Sequence, residues 1–187
     1  TYLKTVHNQL SAIFNHAIRY YGLQVNPAQR AGNMGTEERR EMLFWTKEEY
    51  TKFSEVMMDK PMSFYAFEML YWCGIREGEL LALTPADFDF EKGTVSINKS
   101  YQRLNGQDIV TTPKTKKSNR VIQMPQFLCE EMQDYLKQLY GAEPDSRIFP
   151  VSKYYLHHEM DRGCKESGVK RIRIHDLRHS HISLLID

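Results

Sequence analysis

TVSINKSYQRLNGQDIVTTPKTKKSNRVIQM, residues 94–124, is where the hydrophobic period of the chain changes. Val95 and Ile97 alternate with polar neighbours, and Val121, Ile122 and Met124 form a second short apolar set, so Thr94–Lys99, Gln107–Thr112 and Asn119–Met124 read as strands. Asn105-Gly106 supplies the two positive-φ positions of a tight hairpin turn, and a further turn is expected around Lys116–Ser118. On either side the period is helical. Leu3, Val6, Leu10, Ile13, Ala17, Ile18 and Tyr21 share one helix face up to Gly22. Thr46-Lys47-Glu48-Glu49 is a capping box that opens a helix to about Met58, and helices over Pro61–Cys73 and Glu77–Leu83 follow, the first stopped by Gly74. Downstream, helical patterns cover Gln126–Tyr140 and Lys153–Glu166, and a last helix begins near His175. The fold class predicted is mainly α with a small antiparallel β-sheet.

The chain has 187 residues, 41% of them hydrophobic, enough for one sizeable core and too many for a disordered or collagen-like chain. Residues 26–42 mix Pro, Gly and charge without periodicity. They place a linker at 26–43, between a first segment, 1–25, and a main domain, 44–187. The three cysteines form no CxxC pair, which excludes a zinc ribbon and a disulfide scaffold and fits a reducing compartment. No apolar run is long enough to span a bilayer and no signal-peptide pattern opens the chain, so a cytoplasmic protein with no membrane partner is expected. Thr1 in place of Met, and an end at Asp187 inside an apolar run, suggest a fragment cut at both ends.

Net charge is only +1, but it is unevenly spread. Residues 1–93 hold 10 basic and 13 acidic side chains, whereas residues 94–187 hold 15 basic and 11 acidic. Any polyanion site is therefore local and expected in the second half. Its densest part is RIRIHDLRHSH, residues 171–181, with three arginines and three histidines. On a helix His175, Arg178 and His179 share one face, while Leu177, Leu184 and Leu185 turn to another. Arginine forks suit phosphate oxygens, and an imidazole exchanges protons near neutral pH; a solvated basic face would look the same. His175 and His179 also have the spacing of half a metal site, but Asp176 stands where a zincin has Glu, and no third ligand is fixed by spacing. From Ile109 to Phe127 there are four basic residues, Lys114, Lys116, Lys117 and Arg120, and no acidic one. They suit a phosphate backbone, or simply keep a sheet edge soluble. In CGIREGELLAL, residues 73–83, Arg76 opens a helix with Glu79 one turn on, a pairing that by itself is structural.

In order and spacing these three boxes resemble the catalytic domain of tyrosine recombinases, the phage- and transposon-type integrases. CGIREGELLAL is similar to the first-arginine box, TPKTKKSNRVIQMP to the β-hairpin that carries the family's lysine, and HDLRHSHISLL to its His-x-x-Arg box. The resemblance covers roughly Phe44 to Asp187, and the first helix resembles the tail of a core-binding domain. It implies that Arg76 and Arg178 hold the non-bridging oxygens of the scissile phosphate and that Lys114 protonates the leaving 5′-oxygen. His175 would bond the phosphate or take the nucleophile's proton. Glu79, Asp176 and His179 would support these groups, with Lys116, Lys117, Arg120 and Arg173 as further DNA-phosphate contacts. It also implies double-stranded DNA and other recombinase subunits, four on paired sites, as partners, and neither metal nor cofactor. None of the 11 tyrosines lies downstream of the His-x-x-Arg box, the last being Tyr155, so the nucleophile is expected beyond Asp187 and this chain alone is expected not to cleave DNA. A DNA-binding module that uses the same arginines without catalysis, and a metal hydrolase built on His175 and His179, remain the alternatives.

Overall fold

A computed structural model describes residues 2–32, 42–112, 119–139, 141 and 143–186. The chain divides into two compact units, Thr1–Glu41 and Met42–Asp187. In the first, α1 (Tyr2–Tyr21) is followed by a short helix, α2 (Pro27–Ala31), inside the stretch that composition reads as linker. Asn26 makes that helix. Its side-chain oxygen accepts from the N–H groups of Ala28 and Gln29, while its amide nitrogen donates to Ser11 and Asn15 on α1. His7 Nε2 lies 2.7 Å from the Ala28 carbonyl oxygen, closing the pair. Among the described residues of this unit nothing but α2 packs on α1, so Leu3, Leu10 and Ile13 of its apolar stripe find no cover there.

The second unit is built around α4 (Pro61–Cys73), which is buried on nearly every side, as expected of a helix that is apolar all round. It packs against α3 (Lys47–Met57), α6 (Gln126–Gln138) and α8 (Leu177–Leu184), and α3 packs in turn on α7 (Lys153–Ser167). The Thr46/Glu49 capping box is formed, with each side chain bonded to the other's backbone N–H. Gly74 ends α4 in the left-handed region at φ 56°. The next helix, α5 (Glu77–Leu80), is shorter than its apolar run suggests, because the chain turns at Leu81 and Thr84-Pro85 starts a 3-10 turn. In that turn Asp87 accepts from Thr84 and from Lys99.

The β structure is two sheets where one was expected. Strands β1 (Phe88–Asp89), β2 (Thr94–Ile97) and β5 (Arg120–Gln123) form an antiparallel sheet in the order β1-β2-β5, with Val95 opposite Ile122. Strands β3 (Ser100–Leu104) and β4 (Gln107–Thr111) form a separate hairpin closed by Asn105-Gly106, both at positive φ. β4 and β5 therefore do not pair, and residues 113–118 join different sheets; the turn expected at Lys116–Ser118 lies outside the described residues. The hairpin is tied to the helices by Arg147, whose guanidinium sits 4.1 Å over the Tyr101 ring and donates to the Leu81, Phe149 and Val151 carbonyls. Among the described residues no helix is long and apolar enough to cross a membrane.

Candidate active site

Three sequence-distant segments meet at the C-terminal end of α4. The left-handed turn at Gly74 throws Ile75 into the core and leaves Arg76 at the mouth of α5 with its side chain 56% exposed. Glu79, at the third position of α5, reaches back to accept the Arg76 N–H at 2.8 Å, as the acidic member of a capping box does. It also accepts from Arg76 Nη1 at 2.9 Å. From the first residue of β5, Arg120 donates Nη1 and Nη2 to the two Glu79 oxygens at 3.0 and 2.7 Å. One buried carboxylate thus sits between two guanidiniums. Burial opposes its charge, but the bonds from Arg120 and from the Arg76 backbone and side chain outweigh that and hold its pKa down to about 2.

The third arginine comes from α8. Arg178 Nη1 donates to the Gly74 carbonyl oxygen at 2.5 Å, fixing the side chain against the turn that presents Arg76. Burial lowers its pKa, and the charges of Arg76 and Arg120 lower it further, with Glu79 pulling back. Positive potential is therefore concentrated here despite a nearly neutral chain. His181, one turn beyond Arg178, packs its ring on Gly74, where a Cβ would stand 2.5 Å from His181 Cδ2. Burial lowers the His181 pKa; a hydrogen bond to the Tyr71 backbone opposes this, and the Arg178 charge adds to it. Gly74 therefore serves twice, by its φ and by the room it leaves.

His175 lies in a 3-10 turn, Ile174–Asp176, just before α8 begins, and not on the helix itself. Its exposed ring meets His179 edge to face at 5.6 Å between centroids. Asp176 is buried and accepts the Arg173 N–H and guanidinium, while its backbone carbonyl receives Ser180 Oγ, which in turn receives the Trp45 N–H. Leu177 is core and Leu184 packs at its edge, but Leu185 is 72% exposed. That corrects the expected apolar face, because the short α8 ends at Leu184 and Leu185 no longer continues its stripe.

Of the residues singled out in the sequence, the structure joins Arg76, Glu79 and Arg120 by hydrogen bonds and turns Arg178 into the same cluster. Two of the residues expected as phosphate contacts are bonded to carboxylates: Arg120 donates Nη1 and Nη2 to Glu79, and Arg173 donates Nε and Nη2 to Asp176 while its side chain stays 74% exposed. Lys114, Lys116 and Lys117 lie outside the described residues. Among the described residues no group of three or more His, Cys, Asp or Glu side chains is placed to hold a metal ion. Sequence reading passed over His181 and the Gly74 carbonyl; the spacing of three between Arg178 and His181 was the available signal for the first.

Residues 38–187 match the Phage integrase family. The ICEBs1 integrase of Bacillus subtilis (strain 168) is 34% identical over 200 residues, covering 98% of this chain and 54% of that protein. A putative prophage phiRv2 integrase of Mycobacterium tuberculosis (strain CDC 1551 / Oshkosh) is 26% identical over 179 residues, covering 91% of this chain and 47% of its own length. The chain thus spans about half the length of the curated relatives it matches. Among solved structures, the Tn1549 transposon integrase in complex with a circular intermediate DNA superposes with a TM-score of 0.80 at 22% identity, over 98% of this chain and 66% of that one. A lambda integrase dimer bound to a core site gives 0.62 at 20% identity, over 97% and 65%. At these identities the likeness is one of fold.

Proposed function

The chain belongs to the Phage integrase family, and on that premise we propose that it is the catalytic part of a tyrosine-type site-specific DNA recombinase of a mobile element. The observation that carries this reading is the meeting of Arg76 and Arg178 beside Gly74, with Glu79 and Arg120 behind Arg76. A phosphodiester approaching the mouth of α5 meets two guanidiniums set on rigid elements. Their charge is fixed at every physiological pH, so they stabilise the pentacoordinate transition state without reorganisation. The tyrosine oxygen attacks phosphorus in line, the bond to the 5′-oxygen breaks, and Lys114 gives that oxygen its proton. The 3′-phosphotyrosine keeps the bond energy, and the 5′-hydroxyl of a partner duplex reverses the step. His175 takes the phenolic proton or bonds the phosphate. The last of the 11 tyrosines of this chain, Tyr155, precedes the His-x-x-Arg box, and the reading assigns the nucleophile to none of them.

In this reading residues 1–25 end a core-binding domain, with α2 attached to it, and 44–187 form the catalytic domain. The partners are double-stranded DNA and further recombinase subunits, and the setting is cytoplasmic. The names of the relatives, integrases of an integrative element, a prophage and a transposon, support the class of reaction. The test is Arg178→Ala in the full natural reading frame. Strand cleavage of a nicked duplex should fall by more than about a thousandfold while DNA affinity falls less than about tenfold. A module that only binds DNA would instead lose affinity and salt dependence together.

A further inference from the structure

Resting on the recombinase reading, we propose that Arg120 is a positioning residue of the phosphate site, which acts through Glu79 to orient Arg76 and to leave the charge of Arg76 free for substrate. Glu79 has two oxygens, and both are filled twice. One accepts from Arg76 Nη1 and Arg120 Nη1, the other from the Arg76 N–H and Arg120 Nη2. The two arginines use this carboxylate differently. Arg120 lays its fork across both oxygens, a bidentate geometry that turns the edge between its two terminal nitrogens to the carboxylate and away from an approaching phosphate. Arg76 gives its guanidinium to Glu79 through Nη1 alone, and its side chain is twice as exposed, 56% against 28%.

Charge completes the argument. Without Arg120, Glu79 would keep Arg76 as its only hydrogen-bonded guanidinium among the described residues and would hold it as an ordinary ion pair, cancelling charge meant for the transition state. With Arg120 in place the carboxylate is already neutralised, and it still fixes Arg76 through the backbone bond and one side-chain bond. The anchor is rigid at both ends. Arg120 stands opposite Ile97 in the β2-β5 ladder, and α5 lies tight on β3 because Gly78 has no side chain; a Cβ there would be 2.7 Å from Ser100 Oγ and 3.1 Å from the Tyr101 carbonyl oxygen. Arg120 therefore joins the end of a strand to the helix that carries Arg76.

The test compares cleavage of a nicked attachment-site duplex by the full-length wild type, Arg120→Ala, Arg120→Lys, Glu79→Gln and the Arg120→Ala/Glu79→Gln double variant, with DNA affinity measured alongside. Arg120→Ala should slow cleavage at saturating DNA about a hundredfold while Kd stays within about threefold. In the Glu79→Gln background the same change should cost less than about threefold more, because the residue it acts through is gone. Arg120→Lys keeps the charge but cannot span both oxygens, and should lose about tenfold; it carries the test if Arg120→Ala does not fold. Losses that multiply in the double variant, an Arg120→Lys protein as fast as wild type, or a loss seen in Kd with the salt slope falling by about one would each make Arg120 a phosphate ligand and overturn the proposal. Arg178→Ala run in parallel separates the two levels. If it cleaves normally, the recombinase reading itself fails; if it is inactive while the Arg120 and Glu79 losses multiply, the positioning role alone falls.

Discussion

Glu68 and Glu79, both buried, have pKa values shifted in opposite directions, and each adds its own pH dependence to stability. Glu79 has its folded-state pKa depressed to about 2, so its contribution is present above the unfolded value near 4.5 and is lost as pH falls towards 2. Glu68, on α4, is 5% exposed; burial raises its pKa to about 7, against hydrogen bonds from Tyr50 and Trp72 and with the Glu131 charge assisting. Its neutral form is the one the fold prefers, so stability declines as pH climbs from 4.5 to about 7 and then levels. The ionisation cost of Glu68 above that point is about 3 kcal/mol at most. Urea unfolding of Glu68→Gln should therefore lessen the decline between pH 5 and 8, whereas Glu79→Gln should lessen the loss between pH 4.5 and 2, which Glu159 and Asp176, also held below their ordinary values, share; a Glu68→Gln curve parallel to wild type would contradict this. Arg76 and Arg178 were legible in the sequence because each sits in a box of local pattern. The pairing of Arg120 with Glu79 was not, since the two lie 41 residues apart and a basic residue among lysines looks like any other phosphate contact.

Helix ends carried local signals, and the structure follows them: the Thr46/Glu49 box, Pro61 at the first turn of α4 and Gly74 after its last. Strand partners did not. β3 turns only Tyr101 fully inward, so its composition shows no alternation, and nothing in β4 or β5 says that they pair with β3 and β2 and not with each other. The contact between α3 and α7 depends on a residue that pattern reading treats as a mere interruption. Gly163 stands in the middle of α7, where an added Cβ would be 2.4 Å from Phe53 Cε2 and 2.8 Å from Met57 Sδ. Those side chains are fully buried. Gly163→Ala should lower stability by about 1–3 kcal/mol through overpacking, despite the better helix propensity of alanine, and a melting curve checks it. An unchanged or raised Tm would mean that the α3–α7 contact is looser than described.

At the scale of the molecule, composition gave little and arrangement gives much. A chain of net charge +1 brings Arg76, Arg120 and Arg178 together with a single carboxylate, Glu79, between two of them. The helices that carry Arg76 and Arg178 are both held to the buried α4, so the site inherits the rigidity of the core. That is the preorganisation phosphoryl transfer needs. The central claim is that this arginine pair, and no bound metal, supplies the positive charge for cleavage. It is tested most directly by incubating the full-length protein with a nicked attachment-site duplex in excess chelator and assaying for DNA covalently joined to a tyrosine. The account predicts a phosphotyrosyl adduct at undiminished yield in wild type and its loss in Arg76→Ala and Arg178→Ala; an adduct that forms only when a divalent metal is restored, or that survives both substitutions, would contradict it.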